Sequence, residues 1–147
     1  MNDWILTYQE YDPKEEPLRE ALCVLGNGYM ATRGAGEETA DDAIHYPGTY
    51  LAGGYNRMKS EVAGAVIENE DFVNWPNWLC LTFRPENGEW FHPDKMDLVE
   101  YIQRLNLREG VLQRVMRIRD EAGRETELIS TRLVHMKQPH LAAIEWT

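Results

Sequence analysis

The last third of the chain alternates. Leu112, Met116 and Ile118 fall on one side of an extended strand and Gln113, Arg117 and Arg119 on the other, because successive side chains of a strand point to opposite faces. The same rhythm predicts a meander: Val99 to Leu107, a turn at Arg108-Glu109-Gly110, Val111 to Arg119, a turn from Asp120 to Gly123, Arg124 to His135, and a last strand from Leu141. Long antiparallel strands in succession form a sheet with one apolar and one wet face. Upstream, Glu20 to Leu25 and Tyr29 to Gly34 flank Gly26-Asn27-Gly28, a pattern that predicts a hairpin, since Asn-Gly supplies the positive φ of tight turns. Leu79, Leu81 and Phe83 alternate against Trp78, Cys80 and Thr82, and Glu86-Asn87-Gly88-Glu89 turns toward Trp90 and Phe91, which predicts a second hairpin. Asp12 to Pro17 is polar, holds two prolines and reads as a loop leading into one helical turn. The expected class is mainly all-β and antiparallel.

Composition narrows the partners. With 147 residues, 43% of them apolar, and five Trp and seven Tyr, the chain is long enough to bury one core. A net charge of -10 disfavours nucleic acid and anionic membrane surfaces, both of which would repel it. Arg114, Arg117, Arg119 and Arg124 cluster in sequence, but strand alternation scatters them. Cys23 and Cys80 are too few for a disulfide framework, and the start MNDWILTYQEY lacks a basic and then apolar leader, so a reduced cytoplasmic setting is expected. No apolar run approaches the roughly 20 residues of a membrane helix. The ending Ala143-Ile144-Glu145-Trp146-Thr147 has no turn or polar tail, from which we expect a domain cut at its C-terminus, with an open edge or apolar face that promotes self-association.

A longer pattern overlies these elements. Leu25-Gly26-Asn27-Gly28-Tyr29, Thr32-Arg33-Gly34, Glu37, Tyr46-Pro47-Gly48-Thr49-Tyr50 and Ala52-Gly53-Gly54-Tyr55-Asn56 are followed in order by Val73-Asn74, Pro76-Asn77-Trp78-Leu79, Asn106-Leu107-Arg108, Gly110-Val111-Leu112, Arg132-Leu133-Val134 and His140-Leu141. Together they resemble the amino-terminal domain of glycoside hydrolase family 65, the maltose, trehalose and kojibiose phosphorylases and related hydrolases. The resemblance implies a β-sandwich similar to the galactose mutarotase supersandwich, here its N-terminal part as a single domain over residues 1–147, followed in the family by an (α/α) barrel that holds the general acid. No barrel segment is present, so no catalytic residue carries over.

Candidate chemistry in the residues is sparse. Gly26-Asn27-Gly28-Tyr29-Met30-Ala31 fits the loose dinucleotide fingerprint, but the sequence after it continues as strand, no acidic residue stands about 20 positions on, and the hairpin is preferred. Inverting glycoside chemistry needs a protonated carboxylic acid at the leaving oxygen. Glu37, Glu38, Asp41, Asp42, Glu68, Glu70 and Asp71 are dense enough to consider, yet they lie in polar sequence, where they are expected to stay solvated and ionised. Asp41, Asp42 and His45, with His92 and Asp94 as a second pair, fall short of the convergent ligands a metal needs; no metal and no cofactor is expected. His135 and His140 flank a turn at Lys137-Gln138-Pro139 rather than converging with a Glu, which weighs against mutarotase chemistry.

Flat aromatics remain. Tyr46, Tyr50, Tyr55, Trp75 and Trp78, with Asn56, Arg57, Asn74 and Asn77 beside them, could stack on sugar rings and read hydroxyls, or fill the space between sheets as most aromatics do. Both readings stay open; Tyr46, Tyr50, Asn56, Arg57, Trp75 and Asn77 are the candidates for the rim of a substrate cleft. By resemblance, the complete enzyme cleaves an α-linked glucosyl disaccharide such as maltose, with inorganic phosphate as co-substrate and inversion at the anomeric carbon. This chain is then a catalytically silent part that packs on the barrel, shapes the cleft and contributes to a homodimer. A hydrolase parent, a stand-alone carbohydrate-binding module and a gene relic are the alternatives.

Overall fold

The computed structural model describes residues 4–147. Its frame is a five-stranded antiparallel sheet in the order β1-β7-β8-β9-β10, built from β1 (Ile5–Tyr8), β7 (Asp97–Asn106), β8 (Val111–Arg119), β9 (Glu125–Val134) and β10 (Ala142–Trp146). The expected meander is present with all its turns. Gly110 and Gly123 adopt φ of 67° and 77°, the left-handed backbone that tight turns demand and that glycine reaches without strain. A bulge between Leu98 and Glu100 shifts the β7–β8 register.

The inner face of that sheet is apolar at its ends and ionic in its middle. Along β8 it reads Leu112, Arg114, Met116, Ile118, all buried. Leu112 packs with Leu105, Val134, Cys23 and Leu25. Met116 and Ile118 pack with Tyr101, Leu128 and Phe91. Between these clusters the register sets Gln103 opposite Arg114 and Arg114 opposite Ser130, with Arg132 next along β9. The outer face keeps Gln113 and Arg117 half-buried and Arg119 exposed. As expected, the arginines are scattered.

The opposing layer is less regular. A three-stranded sheet, β2 (Leu25–Gly26), β3 (Met30–Thr32) and β4 (Thr49–Leu51), is joined by the expected turn, in which Asn27 Oδ1 accepts from the Tyr29 and Met30 amides and Gly28 takes φ 85°. Two expectations are corrected. Residues Glu20 to Leu22 are helical, the end of α1 (Glu16–Leu22), which starts with Pro17 in its first turn. Trp78 to Arg84 and Trp90-Phe91 run side by side, with the Phe91 amide on the Phe83 carbonyl at 2.9 Å and their rings stacked, but form no strands. The expected helical turn after the Asp12 to Pro17 loop is present, but its extension through Leu22 escaped the pattern because the inward residues, Glu16, Arg19 and Glu20, are charged, whereas Leu18 and Leu22 face water.

The sequence also concealed a long hairpin, β5 (Tyr55–Val62) and β6 (Ala65–Phe72), paired over eight residues as a separate two-stranded sheet. Ala63 and Gly64 both have positive φ, 51° and 78°, which defines the primed turn of a two-residue hairpin. Every residue of this arm is exposed except the half-buried Ser60.

Replacement of Met116, fully buried in the centre of its cluster, by Ala should destabilise the fold by about 2–5 kcal/mol through lost burial and a residual cavity; the shift of the urea midpoint at constant slope measures it.

Candidate functional site

Segment 33–39 crosses the ionic middle of the sheet. Glu37 Oε2 accepts hydrogen bonds from Arg114 Nη2 and from Ser130 Oγ, the latter at 3.0 Å, and Glu38 takes both terminal nitrogens of Arg114, at 2.9 and 2.6 Å. Arg132 donates to the Ala35 carbonyl at 2.9 Å and lies 3.8 Å from Glu37 Oε1. Burial pushes the Glu37 carboxyl upward, but the Arg114 and Arg132 charges outweigh it and hold the group below its usual range. Burial likewise works against Arg114, and Glu37 and Glu38 more than reverse it. Glu37 and Glu38 are therefore not the solvated loop residues that their sequence implied. Arg114 donates to both inside the fold, and Glu37 is held ionised there.

A second junction forms around His45, which is also buried. Its Nδ1 faces Glu20 Oε1 at 2.8 Å, and its Nε2 faces the Tyr11 hydroxyl at 3.1 Å. That hydroxyl donates its own proton to Asp94 Oδ1 at 2.8 Å, so its oxygen can only accept from His45. Glu20 also accepts from the Tyr46 amide at 3.0 Å and lies 3.7 Å from Arg33. Both ring nitrogens thus meet acceptors, which is the hydrogen-bond pattern of an imidazolium. Burial pulls the His45 pKa down; the Glu20 hydrogen bond and charge, with Asp42 and Asp94, outweigh it and raise it overall. Burial and the hydrogen bond to Asp94 drive Tyr11 upward. Folding brings together His45, His92 and Asp94 from the two metal pairs considered above, with ring centroids of the histidines 6.3 Å apart. They form a polar brace, and among the described residues no group of three or more His, Cys, Asp or Glu side chains is arranged to hold a metal.

The brace fixes the loop that carries the aromatic candidates. Tyr46 follows His45 directly and is exposed, with the Arg33 guanidinium 5.4 Å from its ring centroid. Tyr50, half-buried on β4, meets Phe72 edge-on at 5.9 Å, and Phe72 meets Tyr55 at 4.6 Å. Gly48 leaves room for this packing, since a Cβ would lie 2.6 Å from the Tyr50 hydroxyl and 2.8 Å from Arg33 Cδ and would make those side chains shift. Trp75 is exposed and tied to the loop by its amide on the Thr49 carbonyl at 2.8 Å. Tyr50 and Phe72 also line a concavity of about 520 Å³ with Tyr29, Met30 and Leu51; no carboxylate lines it.

The remaining candidates part company. Asn56 and Arg57 stand on the arm, where Arg57 pairs with Glu70 at 3.0 Å. Asn77 is spent on backbone, its Nδ2 on the Thr39 carbonyl and its Oδ1 on the Leu79 amide. Trp78 donates from Nε1 to Thr32 Oγ1 at 3.2 Å from a loop rather than a strand. Arg33 and Phe72 were missed as members of the patch, because each owes its place to a long-range contact. His140 sits edge-on to Tyr29 at 4.4 Å, and His135 caps its own turn by accepting from the Lys137 and Gln138 amides, so both lie at the sheet's end as expected.

Comparison with known sequences decides the family. The profile of the glycosyl hydrolase family 65 N-terminal domain matches residues 6–147. The chain belongs to this family. It is 46% identical over 142 residues to an uncharacterised glycosyl hydrolase of Mycobacterium tuberculosis, covering 97% of this chain and 11% of that protein. It is 33% identical over 143 residues to the kojibiose phosphorylase of Caldanaerobacter subterraneus, covering 97% of this chain and 17% of that enzyme. A solved structure from the human microbiome, assigned as a kojibiose phosphorylase, superposes with a TM-score of 0.82 over 95% of this chain and 19% of its own, at 23% identity. The fold is thus the antiparallel sandwich that the resemblance implied. The chain spans less than a fifth of each of these proteins. Among the described residues no helix is long and apolar enough to cross a membrane.

Two outcomes follow for this family 65 domain. Arg114→Met should cost about 3–5 kcal/mol by stranding Glu37 and Glu38 in the interior, and adding Glu37→Gln should recover part of that loss in chemical denaturation. Because the folded pKa of His45 is raised, its stabilisation is complete below its unfolded value of about 6.5 and fades as pH rises through the folded value. The melting-temperature gap between wild type and His45→Gln should therefore narrow with rising pH; a gap constant from mildly acidic to alkaline pH would contradict the imidazolium.

Proposed function

We propose that the chain is the non-catalytic N-terminal domain of an inverting α-glucoside phosphorylase, where it packs on the catalytic barrel, shapes the rim of the sugar cleft and contributes to a dimer. The carrying observation is the disposition of the carboxylates. Inverting phosphorolysis needs one protonated acid at the glycosidic oxygen, with phosphate as nucleophile in place of water. Near the aromatic patch, Glu20 faces an imidazolium, while Glu37 and Glu38 face Arg114. Burial raises the pKa of Glu16, but its carboxyl lies within the fold at 3.2 Å from Arg19 Nη1. The acid is therefore supplied by another part of the enzyme. The disaccharide is α-linked and glucosyl, and the domain's share in binding it is the rigid face of Tyr46, Tyr50 and Trp75 with Arg33, since aromatic faces stack on the CH faces of sugars and a guanidinium reads hydroxyls. The enzyme is cytoplasmic and needs no cofactor beyond phosphate.

One observation favours a hydrolase parent: the mycobacterial relative is described as a glycosyl hydrolase. A full-length family 65 enzyme bearing this domain separates the two readings, because phosphorolysis stops when phosphate is withheld and hydrolysis does not. In that enzyme, Tyr50→Ala should raise KM about 2- to 10-fold, the worth of one aromatic contact, while Asn56→Ala on the arm leaves it unchanged. The isolated chain should release no glucose or glucose 1-phosphate. If it turned over disaccharide alone, the non-catalytic role would be wrong.

A further inference from the structure

The β5–β6 arm touches the rest of the described chain at its base, where Phe72 meets Tyr50, and its outer part from Met58 to Ile67 stands in solvent. A lone two-stranded hairpin is marginal in water, and three or more strands are needed for independent stability. Yet this one pairs over eight residues and holds Met58, Val62, Val66 and Ile67 in solvent at 56%, 55%, 69% and 45% exposure. Both of its edges are free among the described residues. Free edges of this length recruit another strand unless something blocks them.

The two edges differ in what they admit. On β6, Glu68 and Glu70 stand on one face two residues apart, so pairing of β6 with a second β6 about Asn69 sets like charges opposite each other, which is destabilising. On β5, the run Met58-Lys59-Ser60-Glu61-Val62 is self-complementary about Ser60. A two-fold axis through Ser60 in an antiparallel pair puts Lys59 opposite Glu61 of the second copy and Glu61 opposite its Lys59. On the other face Met58 meets Val62 twice, and the small Ser60 meets itself on the axis.

Backbone chemistry agrees with this register. In a two-residue hairpin the pair flanking the turn, Val62 and Ala65, exchanges inward hydrogen bonds. Alternation then turns the N–H and C=O of Glu61, Lys59 and Arg57 outward. Lys59 and Glu61 are therefore the residues free to exchange bonds across the new seam, and they are also the residues whose charges match. Neither Lys59 nor Glu61 has an ion-pair partner among the described residues, whereas Arg57 is already held by Glu68 and Glu70.

We infer that the outer edge of β5 is an isologous interface on which a second copy of this chain adds its own β5, about a two-fold axis at Ser60, to give a continuous four-stranded sheet in the order β6-β5-β5-β6. Each copy offers the same patch to the other, so the contact closes at two copies and does not propagate. The inference rests on the dimer role proposed above and names its surface. It also gives the exposed Met58 and Val62 of β5 an apolar neighbour across the seam.

Sedimentation of the intact 147-residue chain at micromolar concentration tests it, with circular dichroism confirming that each variant is folded. The wild type should sediment as two copies. Lys59→Glu and Glu61→Lys should each raise the dimer dissociation constant at least about tenfold, since each places like charges together, and the double exchange K59E/E61K should return it to near the wild-type value. In a Cys80→Ala background, Ser60→Cys should form an interchain disulfide on mild oxidation, because that residue faces itself across the axis, and Asn69→Cys on β6 should not. A wild-type monomer, with another part of the enzyme covering the arm, would overturn both the interface and the dimer role. A dimer indifferent to all three charge variants, or one that cross-links through Asn69→Cys and not Ser60→Cys, would overturn this interface and leave dimerisation standing.

Discussion

Arg114 is the constraint around which the domain is arranged. Its guanidinium is enclosed between an apolar cluster on either side and cannot be left without an anion, because stranding a buried charge costs several kcal/mol. Segment 33–39 must therefore cross the sheet where Glu37 and Glu38 can reach Arg114, and Ser130 must stand opposite it. The pairing also fixes register. A slip of β8 by one residue would expose Leu112, Met116 and Ile118 together and would take Arg114 away from both glutamates. Hydrophobic burial supplies the drive for collapse, and the ionic row selects which collapsed arrangement is allowed.

From that anchored segment the path to the aromatic face is short. Gly34, just beyond Arg33, donates its amide to the Glu20 carbonyl and lies so close to Cys23 that a Cβ would be 2.5 Å from the cysteine's own. Glu20 in turn grips His45 and the Tyr46 amide. The loop carrying Tyr46 is thus held by charge, whereas Tyr50 is held by its ring contact with Phe72. A loop fastened in this way presents its rings in a fixed orientation, and in the role proposed above that would lower the ordering cost of binding.

What could be read from the sequence followed from what each element buries. β7 to β10 bury alternate residues, so period-2 alternation displayed them together with their glycine turns. Helix α1 buries charges, and the arm buries almost nothing, so neither carries the hydrophobic signal by which such elements are recognised. Glu37 looked like a loop carboxylate because its partners are more than seventy residues away. Tyr46, Tyr50 and Trp75 were identifiable as aromatics of one region, while Asn56 stands apart on the arm and Asn77 hydrogen-bonds backbone. Family motifs located the domain more sharply than local pattern, since their glycines mark backbone contacts such as Gly34 on Cys23 and Gly48 on Tyr50.

The two cysteines end up in opposite worlds. Cys80 is exposed, whereas Cys23 has no accessible surface, and burial raises the pKa of its thiol, so less of the reactive thiolate forms. An alkylating reagent therefore meets Cys80 in the native molecule and meets Cys23 only when the corner of α1, β2 and Gly34 swings open. The slow modification rate of that one thiol is a native clock for local opening, and it reads the corner of the domain from which the aromatic loop hangs.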